Sequence, residues 1–240
     1  TPKPSSAASD VYKRQGEVLF FSQREVVAQG AFLRDEVVTL RLGEDEQPVC
    51  AVSEIKLLGR HNVDNVLAAC ALAGVAGADV RAMAAVATTF SGVEHRLELV
   101  RELNGVRWYN DSIATSPERM VAALRAFEAP IVLLAGGRDK HLPWDEAAEL
   151  ILRKVRHLVL FGEAVPIIER AVMAARREGA AAVGPEVTSV RTLEEAVMVA
   201  AQVARPGDVV LLAPGCTSFD AFKDFAARGE RFRELVRGLG

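Results

Sequence analysis

The sequence is short of most features that mark a secreted, membrane-spanning or nucleic-acid-binding chain. Only three cysteines occur in 240 residues, Cys50, Cys70 and Cys216, without paired spacing. That argues against a disulfide framework or a zinc site and fits a reducing, cytoplasmic compartment. Aromatic residues make up 6% of the chain, too few for a base-stacking surface. Positive charge is not in excess: 29 Lys and Arg stand against 32 Asp and Glu, for a net charge of −3. No basic stripe offers the footprint of a nucleic-acid binder. The longest apolar runs are short, such as Ile131 to Ala135, far below the roughly 18–20 residues that span a bilayer. Common catalytic signatures are missing as well. There is no HExxH, no GxGxxG, no Ser/His/Asp order and no Walker A GxxxxGK[ST].

Residues 1–15, TPKPSSAASDVYKRQ, are polar and lack an apolar h-region, so they are not a secretory signal. Residues 1–16 are set aside as a disordered tail or an artefact. The first residue is Thr, which leads us to expect that the natural protein starts further upstream. Half of the residues are hydrophobic, enough for one large core or two modest ones.

Two patterns divide the rest. Residues 17–58 alternate apolar and polar positions, and VLFFS, AFLRD, VVTLRL and VCAVSEIKLL read as strands separated by Gly and acidic turns. Residues 62–77 switch to helical period, with Val63, Val66, Leu67 and Cys70 on one face, Asn62 as N-cap and Gly77 as stop. A second helix is expected over Arg81 to Phe90, and Gly92 marks a boundary between 17–92 and 93–240. From residue 97 strands and helices alternate. Strands are predicted at Leu97–Leu103, Val106–Asn110, Ile131–Ala135, His157–Phe161, Val187–Val190 and Val209–Ala213. Helices are predicted at Pro117–Phe127, Trp144–Val155, Ala164–Gly179, Leu193–Ala204 and Phe219–Gly229, with a last one near Arg231–Leu239. Uniformly apolar strands indicate burial on both faces. The fold class is therefore α/β, a Rossmann-like, doubly wound, mostly parallel sheet preceded by a β-rich and helical segment.

In such a sheet ligands bind outside the carboxyl ends of the strands. That rule selects three loops: Asn110-Asp111-Ser112, Gly136-Gly137-Arg138-Asp139-Lys140 and Pro214-Gly215-Cys216-Thr217-Ser218. Two precede helices, whose N-terminal N–H groups attract anions. Lys140 adds a positive charge, and Thr115 and Ser218 add hydroxyl donors. The combination describes a crevice for a small anion. Each element also has an ordinary structural explanation. Thr115 or Ser116 can simply cap the helix opened by Pro117. The double glycine can be a tight turn, Lys140 a solvated lysine, and Ser218 a cap. His61, Asn62 and Asn65 can be capping residues beside a surface histidine, and His95-Arg96 an interdomain salt bridge. The functional reading gains because all three loops fall on one sheet edge.

The set RHNVDN (60–65), GVEHR (92–96), NDSIATSP (110–117), GGRDKH (136–141) and PGCTSFDAFKDFAARG (214–229) resembles the Mur ligases, in order and with family-like spacing over about residues 17–240. Within that family it is most similar to the branch that adds D-glutamate to UDP-N-acetylmuramoyl-L-alanine. The DNPR-type motif of the diaminopimelate-adding branch is absent. The resemblance implies an ATP-dependent ligase of peptidoglycan precursor synthesis, working through an acyl phosphate and acting as a monomer. It implies that residues 17–92 are the tail of the central ATP-binding domain and 93–240 the amino-acid-binding domain. The P-loop, the Mg2+ ligands and a carbamylated lysine would lie outside this chain, so no metal ligand is expected here and the chain alone should be inactive. By similarity, Asn62, Asn65, His95, Arg96 and Asp111 contact ATP, while Thr115, Lys140, Ser218, Phe219 and Phe225 hold D-glutamate. One position departs from the pattern, since Ile113 stands where many members carry Lys. A folylpolyglutamate synthase-like ligase and a non-catalytic Rossmann-like binding module are the alternatives.

Overall fold

The computed structural model describes residues 18–179 and 184–240. The segment 1–16, read above as a tail, lies outside them. The chain forms two compact units, one ending at Ser91 and the other running from Gly92 to Gly240.

In the first unit, β1 (Phe20–Ser22), β2 (Gly30–Arg34), β3 (Val37–Leu42) and β4 (Asp45–Ala51) form one sheet in that order. β2 to β4 are an antiparallel meander, and β1 adds to β2 in parallel. Such a sheet must bury one face. The helical stripe predicted from Val63, Val66, Leu67 and Cys70 covers it: α1 (Arg60–Val75) and α2 (Val80–Thr89) pack on Ala31, Val38, Leu40 and Cys50. Two expectations are corrected. The fourth strand does not run to Leu58. It ends at Ala51, where a 3-10 turn begins and the Glu54 carboxylate accepts the Ala51 N–H at 2.8 Å. Asn62 is not an N-cap. Gly59, at φ 91°, turns the chain into the helix, and Asn62 lies one turn inside, its Nδ2 donating back to the Leu58 carbonyl at 2.7 Å.

In the second unit, β5 (Glu98–Leu103), β6 (Val106–Asn110), β7 (Ile131–Gly136), β8 (Val155–Phe161), β9 (Glu186–Ser189) and β10 (Val209–Gly215) form a six-stranded sheet in the order β5-β6-β10-β7-β8-β9. β6, β10, β7, β8 and β9 run parallel. β5 is antiparallel to β6. The two are joined by Asn104 and Gly105, both in the left-handed region at φ 53° and 75°, the geometry a two-residue hairpin needs. Five helices complete the unit: α3 (Pro117–Arg125), α4 (Asp145–Lys154), α5 (Val165–Arg177), α6 (Leu193–Val203) and α7 (Phe225–Arg237). On one face Val132, Leu134, Val159, Phe161, Val210 and Leu212 meet Leu193, Val197 and Ala200 of α6 and Phe232 and Val236 of α7. On the other, α3 packs on β10 while α4 and α5 pack on β8. β7 and β10 are buried along their whole length. Each such Leu or Val contributes about 1.5–3 kcal/mol on burial.

The expected pair of C-terminal helices is a single one. Residues 219–224 form turns, in which the Ser218 carbonyl accepts the Ala221 and Phe222 N–H groups. Asp224 then caps α7, its Oδ1 accepting the Ala227 N–H at 2.7 Å. Gly229 lies inside the helix for a packing reason: a Cβ there would stand 2.3 Å from His95 Nδ1.

Candidate functional site

The strand order explains where the three loops go. β10, last in sequence, inserts between β6 and β7. Its register puts Leu212 beside Asn110 on one side and Gly215 beside Gly136 on the other. The carboxyl ends of three parallel strands are thus neighbours, and each loop is bonded to the other two. Gly215 N donates to Ala114 O at 2.8 Å. Arg138 N donates to Thr217 O at 3.0 Å, and Thr217 N to Arg138 O at 2.9 Å. Lys140 Nζ donates to Thr115 Oγ1 at 3.1 Å. Ser218, next to Thr217, is 2% exposed. Thr115, Lys140 and Ser218 therefore belong to one rim.

The rim is held from below by a residue that the sequence reading passed over. Arg228 of α7 is fully buried. Its Nε donates to Ser112 Oγ at 3.0 Å, its Nη1 to Thr217 O at 3.1 Å, and its Nη2 to Ser112 O and Cys216 O at 2.9 and 3.1 Å. Ser112 Oγ in turn donates to Phe225 O at 2.7 Å. One guanidinium thus ties the 110–115 loop, the 214–218 loop and the first turn of α7. All its hydrogen-bond partners are neutral oxygens; burial pushes its pKa down to about 10, and the charge of the nearby Asp220 carboxylate works against that shift. Gly137 completes the fit. At φ 120° its missing Cβ would lie 2.1 Å from Thr217 O, so this glycine serves a close backbone approach. The signal for Arg228 was available: it stands four residues before Phe232 and eight before Val236, on the stripe that faces the core.

Asp111 is buried, its backbone N–H donating to Leu212 O at 2.8 Å and its Oδ1 accepting the Leu97 N–H at 3.1 Å. Burial raises its pKa to about 7, opposed by the Leu97 hydrogen bond and the charges of Arg96 and Arg119. Arg96 is exposed. His95, beside it in sequence, is enclosed. Its ring is buried within the second unit, where Nδ1 pairs with Asn110 Nδ2 at 2.9 Å and the ring meets Phe225 edge-on at 6.3 Å. Asn110 also donates to Glu98 Oε2 and Gly229 O. Phe219 and Phe225 present exposed rings. Asn62 and Asn65 lie in the first unit, linked by a 3.0 Å hydrogen bond from Asn65 Nδ2 to Asn62 Oδ1. Among the described residues no group of three or more His, Cys, Asp or Glu is placed to hold a metal ion. No helix among them is long and apolar enough to cross a membrane.

The second unit is thus an α/β domain with a polar, cation-bearing rim at the carboxyl ends of its parallel strands, where open α/β sheets bind their ligands. The family model described as "Mur ligase, glutamate ligase domain" matches residues 95–216, just over half of the chain, and the chain belongs to that family. A UDP-N-acetylmuramoylalanine–D-glutamate ligase of Symbiobacterium thermophilum is 48% identical over 227 residues, covering 94% of this chain and 49% of the relative. The ligase of the same name from Acetivibrio thermocellus is 44% identical over 225 residues, with 94% and 48% covered. The chain spans about half the length of the curated relatives it matches. The crystal structure of UDP-N-acetylmuramate-alanine ligase from Thermotoga maritima aligns with a TM-score of 0.61 at 17% identity, over 91% of this chain and 48% of that one. A UDP-N-acetylmuramoylalanyl-D-glutamyl-2,6-diaminopimelate–D-alanyl-D-alanyl ligase from Acinetobacter baumannii aligns at 0.62 with 15% identity, over 98% and 49%. These two likenesses concern the fold alone.

Proposed function

We propose that this chain is the amino-acid-binding part of a cytoplasmic, monomeric ligase that joins D-glutamate to UDP-N-acetylmuramoyl-L-alanine at the expense of ATP, in peptidoglycan precursor synthesis. In this reading residues 17–92 are the end of a central ATP-binding domain and 93–240 hold the incoming amino acid. The observation that carries it is the mutual bonding of the three loops, which brings Lys140, Thr115 and Ser218 to one rim. The names and identities of the D-glutamate-adding relatives support the choice of substrate.

The chemistry is an ADP-forming amide synthesis. A free carboxylate is a poor electrophile, so ATP phosphorylates it, and the D-glutamate amine attacks the acyl phosphate and expels phosphate. The rim contributes position and charge neutralisation. Lys140, Thr115, Ser218 and the backbone at Phe219 hold the side-chain carboxylate, with Phe225 walling the pocket. Asn62 and Asn65 lie near the adenine edge of ATP, and His95, Arg96 and Asp111 on the side that faces the nucleotide, with Arg96 contacting its phosphate or ribose. Mg2+ supplies charge neutralisation on the phosphates in this chemistry.

The test is binding and turnover measured together. The 240-residue chain should bind D-glutamate in preference to L-glutamate and release no ADP or phosphate, because its sequence holds no Walker A loop. Equal binding of the two enantiomers would contradict the substrate assignment, and turnover by the chain alone would contradict the division of labour.

A further inference from the structure

Arg119 occupies the third position of α3, in the first turn of the helix. The helix dipole makes that end partially positive, so a cation gains nothing from being there. An exposed arginine with no local partner extends into water. This one turns back over the loop preceding its own helix, and its Nη1 donates to the Ile113 carbonyl at 3.3 Å. The same oxygen accepts the Thr115 N–H at 2.7 Å, and Thr115 Oγ1 accepts from the Lys140 ammonium at 3.1 Å. Guanidinium and ammonium are therefore strung along one strip of backbone, about 12 Å apart at most through those links. That is close to one Debye length, so both fields reach a single small ligand. Ile113 brings no charge of its own to the strip.

We propose that Arg119 is the second ligand-binding cation of the rim: Lys140 takes the side-chain carboxylate of the acidic amino acid, and Arg119 swings from the Ile113 carbonyl to take its α-carboxylate. This rests on the D-glutamate reading of the site and deepens it. A dicarboxylate asks for two cations, and the planar guanidinium fork matches a carboxylate in a bidentate pair. The Ile113 carbonyl is a neutral partner that a carboxylate displaces readily, and the Asp111 carboxyl, on which the Arg119 charge also acts, is buried and raised to about 7, so Arg119 is held near the rim and stays able to take a carboxylate. With Arg119 in this role, the pair of cations sets the substrate class. An amine lacking the α-carboxylate then meets only half of the recognition.

The experiment is an NMR titration of the 240-residue chain with D-glutamate and with 4-aminobutanoate, which is glutamate without its α-carboxylate. The variants are Arg119→Met, Arg119→Lys, Lys140→Met and, as a control, Arg125→Met. Arg125 lies on the same helix, and its Nη2 reaches Glu146 rather than the loop. Arg119→Met should weaken D-glutamate about fivefold and leave 4-aminobutanoate unchanged. Arg119→Lys should recover part of the loss, Lys140→Met should weaken both ligands, and Arg125→Met neither. Wild-type affinity for D-glutamate in Arg119→Met would overturn the proposal, as would an equal loss for both ligands, which would mark Arg119 as structural. If the wild-type chain binds no D-glutamate while folded, the substrate reading falls and the proposal with it. Binding that responds to Lys140→Met but not to Arg119→Met removes the proposal alone.

Discussion

The two units of this chain bury their apolar surface in different ways. In the second, the central strands β7 and β10 are covered on both faces by helices. In the first, four strands rest on two helices, and the outer side of that pair stays bare. Leu72, Val75, Val86 and Phe90 are exposed, and a groove of about 490 Å³ runs past Leu57, Val66, Ala69, Met83 and Phe90 with Asn65 as its polar edge. The unit with the better-sealed core is also the one that carries the polar rim. Covering both faces leaves the strand ends as the places where backbone and side-chain polarity can gather. Among the groups that hold the loops together there is a buried guanidinium, that of Arg228.

That contrast is open to attack, and the strongest blow is Arg228→Met. It strands the Ser112, Cys216 and Thr217 oxygens without their donor and should cost the second unit about 3–5 kcal/mol. Both tryptophans, Trp108 and Trp144, lie in that unit, so urea unfolding followed by fluorescence isolates its transition. A shift of less than about 1 kcal/mol would mean that the loops do not depend on this residue.

Next in size is Leu67→Ala in the first unit. Leu67 is fully buried at the centre of that core, and its truncation should cost about 2–4 kcal/mol. Far-UV circular dichroism, which sees both units, should record the loss.

Smaller and pH-dependent is Asp111→Asn. The carboxyl titrates at about 7 in the folded chain and near 4 when unfolded. Between those values the native state keeps a proton that the unfolded state has released. Stability therefore falls as pH rises through the window and is flat above it. Asn removes the slope while its Oδ1 still accepts from Leu97. The variant should be about 1–3 kcal/mol more stable than wild type at pH 8 and equal to it near pH 4, by urea unfolding at each pH. A stability difference that does not change with pH would contradict the burial of this charge.

The smallest expected signal is a null result. Cys50, Cys70 and Cys216 are all buried, and burial pushes the Cys70 and Cys216 thiols up to about 11 and 12. Ellman's reagent should find no reactive thiol in the native chain and all three after denaturation. Reaction at Cys70 alone would show that the groove side of the first unit opens.

Much of the fold was legible because its signals are local. The apolar runs at Ile131–Ala135 and Val209–Ala213 are central parallel strands, and the stripe through Val63, Val66, Leu67 and Cys70 is the buried face of a helix. The rim was legible for a general reason: strand carboxyl ends next to a crossover attract ligands. What escaped depends on contacts distant in sequence. Gly229 resembles a helix stop and is instead a seat for the His95 ring, which comes from more than a hundred residues away. Asn62 resembles a cap, yet Gly59 already starts the helix. Both strands of the β5–β6 hairpin were legible, but their antiparallel pairing, which Asn104-Gly105 encodes in its left-handed turn, was not read from the sequence. Arg228 was hidden by the habit of reading a charged residue in a helix as solvated.

The central claim is that loops after β6, β7 and β10 form one pocket for an acidic amino acid. The most direct measurement is amide chemical-shift mapping of the isotopically labelled 240-residue chain during a D-glutamate titration. The account predicts saturable shifts concentrated at Thr115, Lys140, Ser218 and Phe219, with weaker effects from L-glutamate. Shifts scattered over the surface, or clustered away from these loops, would contradict it.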